Sequence, residues 1–373
     1  MKSYLLLLSF LHIILGRNYS QNSNHLSLNI GDTPPTLQIG NWLKGEPIQK
    51  FEKGKVYVIE LWATWCGPCI ASMPHLSALA NQYKGKVIFL GIDVKERKTT
   101  SLEKVKSFVD SLGSQMDYSV ATDNNNYIVQ NWLSASGEQG IPKTFVVDAN
   151  TILAWIGHPS ELDKVLPEIV NNNWDLKKEL YKKRVNNYLE KMDDSVNTIL
   201  QGYKYIGDYN NNDYIGHPDS ALIMIKKIIE KEPRLKYAPL IAFQTFRALL
   251  KTNMQKAYEY GKVAIVTTTY DEPAYHLIIG TIESYSDKLK LTKEIYRLGA
   301  ETYQEKIKHI IYPEKTDIYK YYSEMATWYW RAGNKSEAIR AQRKAIENLK
   351  SKNNISTKML AAFESQFEQY KRS

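Results

Sequence analysis

Apolar residues follow two different periods along this chain, and the change of period divides it. The apolar run Val56 to Trp62 is interrupted by one charge, Glu60, and its length predicts a strand buried on both faces. Ile70, Met73, Leu76, Leu79 and Tyr83 then recur at helical spacing, so a helix follows a tight turn. Val87 to Ile92 predicts the next strand, and Leu102, Val105, Phe108, Val109 and Leu112 the next helix. A short strand is expected around Ser119 to Ala121, a helix near Tyr127 to Leu133, and a strand at Thr144 to Val147. Asp148-Ala149-Asn150 reads as a hairpin turn, Ile152 to Ile156 as its partner strand, and Ser160-Glu161-Leu162-Asp163 as a capping box opening the last helix. Such alternation predicts an α/β domain over residues 28–173, with helices on both faces of a sheet.

From Asp175 the period changes to helical throughout, and the segment 175–373 is expected to be all-α. Pro233, Pro239, Pro273 and Pro313 divide it into short units. Gly333-Asn334-Lys335-Ser336-Glu337-Ala338, with Ala345 seven residues on and Trp328 and Tyr329 before it, resembles the second helix of a tetratricopeptide repeat. Ala257, Gly261 and Ala264, after a helix at Leu240 to Leu250, form a fainter copy. A degenerate helical-repeat domain is therefore expected. At 373 residues the chain has room for both cores.

Charge follows the same division. Up to Trp174, 15 Lys and Arg balance 15 Asp and Glu, whereas from Asp175 onward 34 face 25, so the second half holds all of the +9. Basic and acidic residues are interspersed without forming a stripe, which argues against a nucleic-acid partner. Twenty of the 26 tyrosines lie in the second half, where they serve packing or line a basic concave surface for a peptide or protein ligand. At the other end, Met1 and Lys2 precede an apolar stretch from Tyr4 to Leu15, broken only by Ser9 and His12, and polar sequence starts at Arg17. Residues 1–20 read as a secretory signal peptide with Gly16 and Ser20 as the available small residues near a cut. The stretch is too short to span a bilayer, so no membrane span is expected. An exported protein of the periplasm or cell envelope follows.

The chain has two cysteines, and both lie in Trp65-Cys66-Gly67-Pro68-Cys69, where the helix should begin. A zinc site needs four ligands, and the seven histidines lack the matching spacing. Haem attachment needs His after the second Cys, where Ile70 stands. A purely structural disulfide across so short a loop constrains the unfolded chain little. A redox-active pair remains, with no metal and no cofactor. Unpaired N–H groups and the macrodipole at a helix N-terminus favour a thiolate on Cys66, which makes it the attacking sulfur. Glu60 adds a carboxyl to an otherwise buried strand. Its pKa should rise on desolvation, and it could take and return the Cys69 proton as general base. The alternative is an exposed strand edge with no role for Glu60.

Leu61-Trp62-Ala63-Thr64-Trp65-Cys66-Gly67-Pro68-Cys69 resembles the active-site segment of thioredoxin-fold proteins, above all the thiol:disulfide oxidoreductases of the TlpA/ResA group. The likeness extends over roughly Leu28 to Asn173. Pro74 matches the proline inside the thioredoxin active-site helix. Gly140-Ile141-Pro142 matches the family's cis-proline segment, which implies a cis Ile141–Pro142 bond facing the sulfurs. Glu60 stands where thioredoxin has a buried aspartate. Trp62, Trp65, Gly67, Pro68 and Ile141 are implied to surround Cys66, Cys69 and Pro142, and Gly67-Pro68 is the dipeptide of reducing thioredoxins. Lys143 and Phe89 depart from the thioredoxin pattern and leave the potential open. Trp155-Ile156-Gly157-His158-Pro159 resembles a segment of redoxin-like domains with helical extensions, and His158 is expected to be a loop residue.

The resemblance implies a thioredoxin fold followed by the helical domain, working as an envelope thiol:disulfide oxidoreductase that reduces protein disulfides. Its partners would be disulfide clients and a thiol electron donor. Two other readings are an interaction scaffold with a redox-sensing thioredoxin domain and a thiol peroxidase. The peroxidase pattern of Pro and Thr ahead of the Cys is missing here.

Overall fold

The computed structural model describes residues 27–202, 217–270, 273–310, 316–352 and 355–372. The expected signal segment 1–20 and the break at Pro313 lie outside the described residues. Contacts divide the chain into two units, with the boundary after Leu176.

In the first unit the strand expected at Val56–Trp62 forms with those bounds and is buried at every position (β2). An edge strand not foreseen, β1 (Ile39–Lys44), precedes it; none of its residues is buried, so no apolar pattern marks it. Then come α1 (Gly67–Gln82), β3 (Val87–Asp93), α2 (Leu102–Leu112), β4 (Ser119–Asp123), β5 (Lys143–Val147), β6 (Leu153–Gly157) and α3 (Leu162–Val170). The six strands lie in the order β1-β4-β3-β2-β5-β6. The central strand β2 runs parallel to β3 and antiparallel to β5.

Side chains alternate between the faces of a strand. Val56, Val58 and Trp62 pack with Met73 and Leu76 of α1, Val105 and Val109 of α2, and Leu162 and Leu166 of α3 in one apolar cluster that includes both cysteines. All three helices thus cover one face. On the other, Tyr57 packs edge-on to Phe51, and Phe51 and Phe145 pack against Trp132. Trp132 belongs to a wide helical turn, Val129–Ser134, which continues helical residues 127 and 128, so the helix expected at Tyr127 to Leu133 forms and covers the second face.

The start of α3 corrects the expected cap. Ser160 does not open the helix; His158 caps a short turn, Pro159–Glu161, accepting from the Ser160 N–H through Nδ1 at 3.3 Å, with Glu161 reaching back to the His158 N–H. Both sequences of the motif are present two residues apart, and Pro159, suited to a first helical turn, shifts the start forward.

The second unit is helical among the described residues. Its helices are α4 (Leu176–Gly202), α5 (Pro218–Lys231), α6 (Pro239–Thr252), α7 (Met254–Ala264), α8 (Tyr275–Tyr285), α9 (Lys293–Lys308), α10 (Ile318–Arg331), α11 (Lys335–Lys350) and α12 (Thr357–Arg372). Pro233 and Pro239 sit in first turns, where the missing N–H costs nothing. Ala257, Gly261 and Ala264 are buried on α7, and a Cβ on Gly261 would lie 2.5 Å from Leu298 and 3.0 Å from Phe246, so the close approach of α7 to its neighbours requires glycine there. Ala338, Ala341 and Ala345 are buried on α11 in the same manner. Buried Asp193 of α4 accepts the N–H groups of Leu240 and Ile241, both at 2.8 Å, and the Tyr270 hydroxyl at 2.7 Å, capping α6 from a distant helix. Tyr258, Tyr275, Tyr303 and Tyr329 are buried in the larger apolar cluster, which supports the packing reading of many tyrosines.

Candidate active site

Three loops meet at the carboxyl end of β2. The first is Ala63–Cys66, the turn from β2 into α1. Cys66 donates its N–H to Ala63 O at 3.0 Å and takes the N-cap position of α1, where its Sγ accepts the Cys69 N–H at 3.3 Å. Pro68 occupies the first helical turn, so Cys66-Gly67-Pro68 supplies both the cap and a residue that needs no donor there. Cys66 and Cys69 form a disulfide, and both sulfurs are buried in this oxidised state, Cys66 being 3% and Cys69 1% exposed. Trp65 beside them is 44% exposed, a large apolar side chain left at the rim. Pro74 lies inside α1 as expected.

The second loop carries Pro142. The Ile141–Pro142 bond is cis. β5 pairs with β2 through Lys143 opposite Leu61, so Pro142, one residue earlier, stands beside the end of β2 from which the Cys turn departs. Ile141 packs against the apolar cluster that holds both cysteines, whereas Lys143 pairs with Glu138 at 2.8 Å.

The third loop, Val94–Glu96, was not singled out from the sequence. The Val94 N–H donates to Trp62 O at 2.8 Å, the Thr64 N–H to Glu96 Oε1 at 2.5 Å, and the Trp65 indole N–H to Lys95 O at 3.0 Å. Lys95 Nζ donates to Gln139 O at 2.7 Å in the loop before Pro142. One short segment therefore ties the Cys turn to the proline loop. Asp93-Val94-Lys95-Glu96 reads in sequence as a solvated charged loop, and only its position directly after an apolar strand could have pointed to buried carboxyls.

Glu60 is 2% exposed in the central strand, which removes the edge alternative. Alternation from Val58 and Trp62 puts it on the face that α1 and both cysteines cover. Thr144 is its partner across β5 and donates its hydroxyl to Glu60 Oε2, while Oε1 has no hydrogen-bond partner. On the other side its partner is Gly91, where a Cβ would lie 3.0 Å from the Tyr118 ring and 3.2 Å from the Trp62 indole nitrogen. Burial pushes the Glu60 carboxyl up to about 8, with the Thr144 hydroxyl and the Lys143 charge working against that rise. Glu60 is accordingly a neutral acid at pH 7.

No group of His, Cys, Asp and Glu suited to a metal ion occurs among the described residues. No described helix is long and apolar enough to cross a membrane.

A helix-capping Cys-Gly-Pro-Cys pair, a cis-proline loop and a buried carboxyl on the same face of the sheet define a thioredoxin-type dithiol/disulfide site. The redoxin family pattern matches residues 43–169. Protein FixW of Rhizobium leguminosarum is 34% identical over 163 residues, 40% of this chain and 69% of that protein. The thiol-disulfide oxidoreductase ResA of Bacillus cereus is 30% identical over 34% of this chain and 68% of its own length. The thiol:disulfide interchange protein DsbE of Pasteurella multocida is 30% identical over 31% of this chain and 58% of its own. Among solved structures, the thioredoxin domain of a Bacteroides vulgatus thiol-disulfide oxidoreductase aligns with 39% of this chain and all of that one, at 21% identity and a TM-score of 0.33. The chain spans 58–69% of the length of these curated relatives. It belongs to the redoxin-domain family of thiol-disulfide oxidoreductases, and it is an enzyme of the thioredoxin type.

Proposed function

We propose that this chain is an exported reductant of protein disulfides that works through Cys66 and Cys69, with its helical unit receiving clients. The observation that carries this is the place of the pair: Cys66 caps α1, so a negative charge on its sulfur faces the free N–H groups of the first turn. In the reduced protein the Cys66 thiolate attacks one sulfur of the client disulfide, forming a mixed disulfide and expelling the client's other sulfur as thiolate. Cys69 then attacks Cys66 Sγ and releases the client's second thiol, and two electrons have passed from the pair to the client. The cis Pro142 beside the end of β2 supports a role in holding the client backbone, with Ile141, Trp62, Trp65, Gly67 and Pro68 shaping the surround.

Glu60 holds a proton in the oxidised state, and its burial on the sheet face that the cysteines cover supports its giving that proton to Cys69 when the disulfide opens. It is then the base that takes the Cys69 proton in the next round. A thiol donor must recharge the pair, since no cofactor is required for the exchange. Export is supported by the apolar stretch Tyr4 to Leu15 after Lys2. Client binding on the second unit is supported by its net charge of +9 and its repeat-like helix pairs.

The direct test is turnover of a protein disulfide with a dithiol supply. Loss of turnover in Cys66→Ser is expected, and turnover retained in that variant would end the proposal. Exchange that runs only towards disulfide formation would leave the family assignment and overturn the reductant.

A further inference from the structure

The proton chemistry described above uses Glu60 and leaves a second pair of buried carboxyls unexplained. Asp93 ends β3 opposite Trp62, on the cysteine side of the sheet, and is 6% exposed. Three residues on, Glu96 is half-buried and accepts the Thr64 N–H at 2.5 Å. Between them Lys95 has φ of +56°, a left-handed conformation that a lysine adopts at a cost. That conformation lets the loop turn back, so that Lys95 O meets the Trp65 indole and Glu96 meets Thr64.

Each carboxyl shifts the other, the Glu96 charge raising Asp93 and Asp93 lowering Glu96, as two neighbouring carboxyls do when one proton serves both. Asp93 Oδ1 and Glu96 Oε2 are buried, and no donor elsewhere in the described residues reaches either. Neither residue takes part in an ion pair among the described residues. The other groups that act on them are Thr100, which lowers Glu96, and Asp123 of β4, which raises Asp93 and whose carboxylate is itself engaged by the Ile128 and Val129 N–H groups.

We propose that Asp93 and Glu96 are positioning residues that form a proton-dependent anchor for the Cys66 turn. One shared proton keeps Glu96 on the Thr64 N–H; without it two adjacent buried charges repel, and Glu96 releases the turn two residues before Cys66. Burial, followed by the Glu96 charge, raises Asp93 to about 8, so the proton is present at neutral pH. Burial opposes ionisation of Glu96, but hydrogen bonds from Thr64, Thr100 and Asp93 outweigh it and hold Glu96 below the usual carboxylate range. Charge and proton thus have fixed places in the pair. The inference rests on Cys66 as the attacking sulfur only for its effect on reactivity.

The Thr64 amide reports the anchor directly in the isotope-labelled, oxidised full chain. Its proton and nitrogen shifts are expected to move in one step centred near pH 8, where Asp93 titrates. Asp93→Asn keeps a donor for Glu96 but cannot ionise, and its Thr64 amide should stay constant across that range. Glu60→Gln should retain the step, which separates the two buried carboxyls. A Thr64 amide that is flat in the unmodified protein, a measurement that needs no variant, overturns the proposal. So does a step that survives in Asp93→Asn or vanishes in Glu60→Gln. In the reduced protein, the pH profile of Cys66 alkylation should differ between the unmodified chain and Asp93→Asn above about pH 8; identical profiles would refute the link from anchor to sulfur. Loss of disulfide turnover in Cys66→Ser bears on the reductant reading alone and moves none of these amide signals.

Discussion

Replacing Glu60 by Gln should change how the stability of the first unit depends on pH, by an amount that follows from burial. The carboxyl goes from 4.5 to about 8 on folding, chiefly through desolvation. Between those values the folded state binds the proton that the unfolded state has lost. The contribution of Glu60 to stability is therefore full below pH 4.5, declines as pH rises to about 8, and is constant above it. At about 1.4 kcal/mol for each pH unit in the window, the whole decline is roughly 5 kcal/mol. Gln keeps an acceptor for the Thr144 hydroxyl but leaves its amide N–H groups without acceptors in the place of Oε1, a penalty of about 1–3 kcal/mol that does not vary with pH. Hydrogen exchange of the buried β2 amides, under conditions where they exchange by global opening of the unit, measures the difference. The ratio of the two proteins' exchange rates cancels both the intrinsic chemistry and the parallel titration of Asp93. Between about pH 5.5 and about pH 7.5 the opening constant of the unmodified chain should rise about a hundredfold relative to Glu60→Gln. A constant ratio, or one that moves the other way, would show that Glu60 is ionised in the folded protein.

Cys69→Ser should accumulate a mixed disulfide between Cys66 and a client, seen as a thiol-sensitive adduct by mass spectrometry; an adduct absent there but present through Cys69 in Cys66→Ser would reverse the roles of the sulfurs. Gly91→Ala puts a methyl 3.0 Å from the Tyr118 ring and 3.2 Å from the Trp62 indole, so denaturant unfolding should show a loss of about 1–3 kcal/mol. Asp193→Ala strips the Leu240 and Ile241 N–H groups and the Tyr270 hydroxyl of their acceptor. It should cost the second unit at least about 2 kcal/mol in a thermal melt while disulfide exchange on a small substrate stays unchanged.

The strands and helices that face the core on a regular period were readable in advance, because burial of β2, β3 and α1 writes itself into the spacing of apolar residues. Val56–Trp62 agrees with the expected bounds for that reason. β1 lacks any buried residue and gains its place only by pairing with β4, a non-local interaction that composition does not record. Glu60 was legible as a lone charge in an apolar run. Asp93 and Glu96 were not, because they alternate with Val94 and Lys95 in a segment whose polarity is typical of a surface turn, and their burial depends on how that turn folds back over Thr64. The cis bond before Pro142 came from family likeness alone, since nothing in Gly140-Ile141-Pro142 distinguishes it locally from a trans turn.

The two buried carboxyl sites flank Trp62 on the cysteine side of the sheet, yet their environments set different roles. Glu60 has a neutral hydroxyl partner and the Lys143 charge near it, so its proton exchanges with little rearrangement of the backbone. Asp93 faces Glu96, which holds a backbone N–H of the Cys turn, so loss of its proton changes the geometry of the turn. Both titrate near pH 8. A single break in a pH–rate profile would therefore sum a proton-transfer event and a positioning event, and the rate alone could not apportion it. Only a signal local to one site, such as the Thr64 amide, separates them, because the Glu60 carboxyl has no hydrogen bond to that turn and the Asp93–Glu96 pair reaches it through one.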